Sequence, residues 1–417
     1  YADLLERRAN ETSESEMDSM LAELREAAPR WVAADIDERI ALLERVVEDT
    51  AAVAEAWSRD ALAAKGITPE MDLDWEEVVG GPVSVIRNAR LLRDTLVDIR
   101  DSGRPLPPGP ITQRPDGQTV VGVFPTNTID KAMYPGVSAE IWMRPGVNPG
   151  NLNASIARAY RRDRTMDPTV CLVLGAGNVA SIGPMDVLYQ LISEHQVCLL
   201  KTNPVNEYLG PHWEAALAGF IEAGYVHVAH GGVEVGQYLT NHDEVDTIHI
   251  TGSDKTYDAI VYGTGEEGAA RKAADDPINT KPVTAELGNV SPIIVVPGPW
   301  SDDDIAFQAS HIAGSLVNNG GFNCIASRVI VTHAEWNQRE QLIEAILLAL
   351  ADHPEREPYY PGAEHRWQAF IDEHPDAHVV GEVGEACVPW TLIEGIDPAD
   401  VDNMAFTVEA FNGVFAC

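Results

Sequence analysis

Between residues 169 and 250 short apolar runs return at intervals in the twenties, and a helical pattern follows each of the first three. The runs cover 169–174, 196–201, 226–229 and 245–250, and the helical patterns cover 179–193, 212–223 and 234–240. Few folds satisfy such a series. Strands alternating with helices at this spacing form βαβ units and a parallel sheet. Sheets of this kind bind ligands at the carboxyl ends of their strands. Asn178, which follows Gly175-Ala176-Gly177, falls at such an end, as do Lys201 and the pair Gly252-Ser253.

A second α/β segment begins at residue 282. A strand over 282–287 enters Gly288-Asn289, and a strand over 293–296 leads to a helix over 305–317 with Ile305, Ala309, Ile312, Ala313 and Leu316 at helical spacing. The stretch Gly320-Gly321-Phe322-Asn323-Cys324 then places one cysteine in a loop, ahead of a strand over 328–332 and a long helix over 334–353. Glycines permit a tight backbone before the thiol, and a nucleophile held at an element boundary is a common enzyme arrangement. The alternative for Cys324 is a buried small hydrophobe.

The N-terminal part reads as helices over 17–28, 35–57 and 83–99, with apolar faces such as Ile36, Ile40, Leu43, Val46 and Val47. Pro and Gly are dense over 101–117, which predicts a loop, and a strand follows over 119–124. The stretch 125–167 is irregular and carries Arg158, Arg161, Arg162 and Arg164, a patch that fits a helix face, a subunit contact or an anion site. Residues 256–280 read as a surface excursion, and 353–361 as a Pro-rich break. The chain opens on Tyr1 without an initiator Met or an apolar leader, and it stops inside an apolar run at Cys417, so both ends are expected to lie inside a longer natural chain.

At 417 residues the chain is too long for one ordinary core, and two or three domains are expected. Its 65 acidic and 29 basic side chains leave a net charge of −36. That charge disfavours nucleic acid and anionic membranes as partners. Self-repulsion of this size fits either a salt-adapted source or ordinary acidic solubility. Five widely spaced cysteines, Cys171, Cys198, Cys324, Cys387 and Cys417, form no C-x-x-C. A disulfide framework or zinc site is therefore not expected, and a reducing cytoplasm is the natural compartment.

Asn178, Lys201, Gly252-Ser253, Glu286 in Ala-Glu-Leu-Gly, and Cys324 follow one another in an order and spacing that resemble the aldehyde dehydrogenase superfamily. Glu409-Ala-Phe411 resembles that family's Glu-x-Phe motif. The resemblance covers roughly residues 35–417. It implies an α/β fold with a Rossmann-like parallel-sheet cofactor domain and a second α/β catalytic domain. On that basis residues 1–109 are the helical N-terminal part of the cofactor domain, 110–168 a hairpin and irregular insertion suited to oligomerisation, 169–281 the Rossmann-like cofactor-binding domain and 282–417 the catalytic domain. Departures are visible: Phe322 stands where the family has Gln or Glu, Asn289 replaces a glycine, and Asn412-Gly413 follows Phe411.

The resemblance also implies NAD(P)-dependent oxidation of an aldehyde to a carboxylic acid, with a small-molecule aldehyde as substrate. Cys324 would add to the carbonyl, giving a thiohemiacetal and later a thioester. Asn178 and the Cys324 amide would hold the oxyanion. Glu286 would be the general base for hydrolysis. Lys201, Gly252, Ser253, Glu409 and Phe411 would bind NAD or NADP. Family members that prefer NAD often carry Glu three residues after the lysine; Pro204 stands there, so NADP is tolerated on this reading. A homodimer or homotetramer is implied, paired through a hairpin and a late strand that would lie beyond Cys417. Phe322 is expected to make the approach to the thiol apolar and to favour apolar aldehydes. Three alternatives stay open: a CoA-acylating dehydrogenase, a catalytically inactive scaffold, and an ordinary dinucleotide fold using Gly175-x-Gly177-x-x-Ala180.

Overall fold

In the computed structural model residues 11–161, 166–382 and 387–417 are described. The chain starts with helices α1 (Glu14–Ala33) and α2 (Ile36–Ala64). Ser13 and Glu16 form a reciprocal capping box at the start of α1, and Asp35 caps α2, so both helices begin where a polar side chain satisfies free backbone N–H groups. The short helix α3 (Asp74–Val78) and helix α4 (Ser84–Ser102) follow.

Strands β1 (Ile111–Gln113), β2 (Thr119–Phe124) and β3 (Ala139–Trp142) make a small antiparallel sheet in the order β1-β2-β3. The sequence reading gave only β2; β1 lies inside the Pro-rich loop and β3 inside the irregular stretch. Both are short and exposed, without the alternating burial that marks a strand in sequence. The basic patch is only partly placed: Arg158 opens a short 3-10 turn and Arg161 donates to the Ala154 carbonyl, while Arg162 and Arg164 lie outside the described residues.

The strand–helix series then appears in order: β4 (Val170–Leu174), α5 (Ile182–Ile192), β5 (Val197–Lys201), the broken helix α6 (Gly210–Ala216) and α7 (Ala218–Glu222), β6 (Val226–Ala229), α8 (Val233–Asn241) and β7 (Thr247–Gly252). The surface excursion at 256–280 is two helices, α9 (Asp254–Val261) and α10 (Gly265–Ala274). Strand β8 (Val283–Leu287) pairs with β7, so it completes the first sheet; the sequence reading had placed it in the following segment. The first sheet is parallel throughout, in the order β6-β5-β4-β7-β8. The strand order reverses between β4 and β7, and the crevice at such a reversal is where open α/β sheets bind ligands.

The second sheet has the order β11-β12-β13-β10-β9, from β9 (Ser291–Ile294), β10 (Ser327–Val331), β11 (His378–Val380), β12 (Trp390–Ile393) and β13 (Val414–Ala416). Helices α11 (Asp302–Val317) and α12 (Arg339–Ala351) pack together on it through Ile305, Ile312, Leu316, Leu342, Ile346 and Leu350, and α13 (Ala363–Glu373) adds Trp367 and Phe370 to a neighbouring cluster. The first sheet has its own core, in which Leu172, Val173, Leu199 and Leu200 meet Trp31, Trp57, Trp213 and Phe220. No described helix is long and apolar enough to cross a membrane.

Trp31 ties α1 to the first sheet. It is fully buried, donates to the Leu191 carbonyl at 3.1 Å, and lies under the Arg39 guanidinium, 4.2 Å from its ring centre. Trp31→Ala is expected to cost about 3–5 kcal/mol, read as an earlier unfolding transition in denaturant. Screening of the acidic surface is also expected to raise the thermal midpoint of the wild-type chain between low salt and molar salt. An unchanged midpoint would remove self-repulsion as a term in its stability.

Candidate active site

The loop before Cys324 is set by three consecutive left-handed residues, Asn319 (φ 54°), Gly320 (φ 66°) and Gly321 (φ 77°). A side chain at 321 would collide with the Asn412 carbonyl, so glycine is required there on two counts. The Arg328 guanidinium donates to the Gly321 carbonyl at 2.6 Å and to the Asn412 carbonyl, binding the loop to the chain before β13. Burial pushes the Arg328 pKa down to about 10.

Phe322 does not line the approach to the thiol, contrary to expectation. It is 2% exposed, and its ring meets Tyr359 at 4.9 Å and Phe411 at 5.9 Å, both edge to face. An aromatic ring gains more from this cluster than from a half-wet loop, so it turns inward and anchors the backbone. Cys324 is half-buried, and the side chain beside it, Ile325, is 82% exposed.

Asn178 lies just past the end of β4 and reaches this loop. It is buried, and its Nδ2 donates to the Phe322 carbonyl at 2.9 Å, two residues from Cys324. Its carbonyl accepts from Lys65 Nζ, Asn319 Nδ2 and Tyr359 OH, each at 3.0 Å. Asn178 is not the cap of α5, since Ser181 holds that position. The first sheet and the cysteine loop therefore meet through its side chain and main chain together.

Burial raises the Cys324 pKa; Glu409, Glu286 and Asp186 add to the rise, in that order among the acids, and the Cys324 backbone N–H works the other way. Glu286 is an exposed residue of β8, in register with Thr251. The Glu409 carboxylate lies against Gly288, where any Cβ would overlap it. Burial raises the Glu409 pKa, against Arg328, the Asn289 backbone N–H and Arg366. Asp186, on α5, accepts from Thr251 Oγ1 at 2.8 Å. No local pattern marks Asp186 in the sequence, because its partner is a strand end 65 residues away.

Lys201 ends β5 and is buried, and its ammonium has no hydrogen bond or ion pair among the described residues. Burial pushes its pKa down to about 8, while Glu207 and Glu11 pull upward. Ser253 caps α9 by accepting from the Thr256 N–H at 3.2 Å, and both it and Gly252 are exposed at the carboxyl edge of β7. Phe411 has φ 46° and packs on Tyr360 at 4.9 Å, so in this structure it supports the cysteine loop.

Residues 209–355 match the family model described as aldehyde dehydrogenase family. An aldehyde dehydrogenase of Enchytraeus buchholzi is 37% identical over 115 residues, which is 27% of this chain and 20% of that protein. An aminoacetaldehyde dehydrogenase of Pseudomonas aeruginosa is 30% identical over 201 residues, 44% of this chain and 37% of that protein. The matched stretches thus span well under half of these relatives. The fold extends further. A glyceraldehyde-3-phosphate dehydrogenase of Bacillus halodurans, solved with NADP, superposes with a TM-score of 0.64 at 17% identity, covering 97% of this chain and 73% of that one. An aldehyde dehydrogenase variant of Pseudomonas syringae, solved with NAD+ and octanal, gives 0.65 at 16% identity, covering 96% and 71%. Residues 209–355 therefore resemble the aldehyde dehydrogenase family, and nearly the whole chain shares the fold of these solved structures.

A carboxylate beside a thiol opposes thiolate formation, so removing its charge lowers the thiol pKa. Glu409→Gln is therefore expected to alkylate faster at Cys324 with iodoacetamide at neutral pH, by roughly two- to fivefold, with Cys324→Ala identifying the reacting site. An unchanged rate would mean that Glu409 does not act on the thiol.

Proposed function

We propose that this chain oxidises an aldehyde to a carboxylic acid, with NAD or NADP, through a thiohemiacetal and a thioester on Cys324. The observation that carries this reading is the buried Asn178 amide, bonded to the Phe322 carbonyl beside a half-buried cysteine. A nicotinamide dinucleotide fits the chain's own residues: Lys201 has an ammonium with no partner among the described residues, and Gly252-Ser253 sit at the start of α9 beside the sheet's switch point. Lys201, Gly252, Ser253 and Glu409 would hold it, and it would supply the hydride acceptor. Phe411 would act less directly, through the packing of the cysteine loop.

The Cys324 thiol loses its proton to solvent, the thiolate adds to the aldehyde carbon, and negative charge moves to the carbonyl oxygen. The Nδ2 of Asn178 has a second N–H beyond the one bound to Phe322, and with the Cys324 N–H it can meet that oxygen. Once the thioester has formed, Glu286 takes a proton from water, which displaces the thiol as the acid leaves. The exposed β3 side chains Ile141 and Trp142 support assembly into a homodimer or homotetramer, since an exposed apolar edge strand invites a partner. The thiols and the acidic charge support a cytoplasmic setting.

Purified protein mixed with an aldehyde and NAD+ or NADP+ is expected to generate reduced-nicotinamide absorbance. Cys324→Ala should abolish the signal. Glu286→Gln should keep a single burst and lower steady turnover by about 10² or more. Acceleration by CoA with acyl-CoA as product would favour the acylating alternative, and no signal in any wild-type assay would favour a scaffold. Lys201 loses its charge as pH rises through about 8, so the KM for the cofactor is expected to rise above that pH while kcat changes little. Lys201→Ala should show the high KM at every pH.

A further inference from the structure

Lys65 is the C-cap residue just past α2, far in sequence from any of the residues placed at the site, yet its ammonium is buried beside Asn178. Its three N–H groups meet three acceptors: Glu77 Oε1 at 2.5 Å, Asn319 Oδ1 at 2.9 Å and the Asn178 carbonyl at 3.0 Å. The Tyr359 hydroxyl reaches the same two oxygens, Asn178 O at 3.0 Å and Asn319 Oδ1 at 3.1 Å. Asn319 closes the ring, its Nδ2 lying 3.0 Å from the Asn178 carbonyl and 3.1 Å from the Phe322 carbonyl. That last oxygen is also the acceptor for Asn178 Nδ2.

The Asn178 side chain is thus held at one end through its own carbonyl and at the other through the carbonyl that precedes the cysteine by two residues. Both anchors run through Asn319. Three remote parts of the chain meet here: the end of α2 with α3, the loop after β4, and the cysteine loop with Tyr359. A second buried pair holds the far side: Arg356 donates to Glu76 Oε2 at 2.9 Å, and Glu76 Oε1 accepts from the Asn319 N–H at 3.0 Å.

We propose that Lys65, Tyr359 and Asn319 are positioning residues for the oxyanion-holding amide of Asn178, fixing its free N–H relative to Cys324. They touch neither substrate nor cofactor in this assignment. The proposal rests on the reading of Cys324 as nucleophile and Asn178 as oxyanion donor. A donor must sit where charge develops, and small displacements of such a group are costly in rate. A clamp built from a buried ammonium, a phenol and a side-chain amide, each bonded to more than one partner, leaves it one orientation.

The test is acylation of Cys324 by p-nitrophenyl acetate, which forms an oxyanion on the ester carbonyl without needing nicotinamide or the general base. Tyr359→Phe keeps the ring packing on Phe322 and removes only the hydroxyl. It is expected to slow acylation about tenfold, with the thermal midpoint nearly unchanged. In an Asn178→Ala background the same substitution is expected to change the rate by less than about twofold, because its route of action is gone. The paired variant Lys65→Met with Glu77→Gln, which strands no buried charge, should show the same dependence on Asn178. A full tenfold loss in both backgrounds, or no loss in either, would overturn the proposal. Coupled acylation without any nicotinamide reduction would sink the dehydrogenase reading and leave the clamp standing. A wild-type Cys324 that is not acylated at all would sink both.

Discussion

A buried ammonium has to find acceptors, and how Lys65 finds them sets the relation between the two halves of this molecule. Each sheet has its own apolar core, and apolar packing alone would let the two surfaces settle in several registers. Lys65 and Asn319 are directional. Their bonds can all form only when the end of α2, the loop after β4 and the loop before Cys324 stand in one arrangement. The left-handed turn at 319–321 is part of the same constraint, since it brings the Asn319 side chain back over the Phe322 carbonyl.

Around that joint the candidate residues are distributed by topology. The first sheet contributes strand ends: Asn178 after β4, Lys201 at the end of β5, Gly252-Ser253 after β7 and Glu286 on β8. The segment that follows contributes the thiol and the carboxylate of Glu409. Burial does most to raise the Cys324 pKa, Glu409, Glu286 and Asp186 add to the rise, and its own N–H lowers it. Burial and these carboxylates all favour the neutral thiol over the thiolate. The excess of acid that makes the surface so negative therefore reaches into the site as well.

Much of this was legible in the sequence, and what was not has physical reasons. The first sheet could be read because β4 and β5 are covered on both faces and appear as unbroken apolar runs. Asn178, just past β4, and Glu286, inside β8 ahead of Gly288, could be singled out because each sits in a short glycine-containing local pattern. β8 was read as a strand but given to the wrong sheet, since sequence does not say which neighbour a strand pairs with. β1 and β3 are exposed edge strands without a burial pattern. The inward turn of Phe322 depends on Tyr359, Tyr360 and Phe411, which lie 37 to 89 residues downstream, and no local rule brings them together. Lys65 lies beyond the helix read over 35–57, and its partners are 12 to 254 residues away.

The two ion pairs inside the joint are not there for stability. Burying Lys65 with Glu77 and Arg356 with Glu76, all with side chains at most 5% exposed, costs desolvation that well-packed hydrophobic residues would avoid. Losing one member would strand its partner at about 3–5 kcal/mol, so the arrangement is also fragile. What the pairs provide is direction. Glu76 spends its two oxygens on Arg356 and on the Asn318 and Asn319 nitrogens, and Glu77 orients Lys65 toward Asn178. A hydrophobic replacement could fill the same volume, but it could not tell the Asn178 carbonyl which way to face. The buried charge thus orients the Asn178 main chain, whose side chain in turn bonds the Phe322 carbonyl two residues before the thiol.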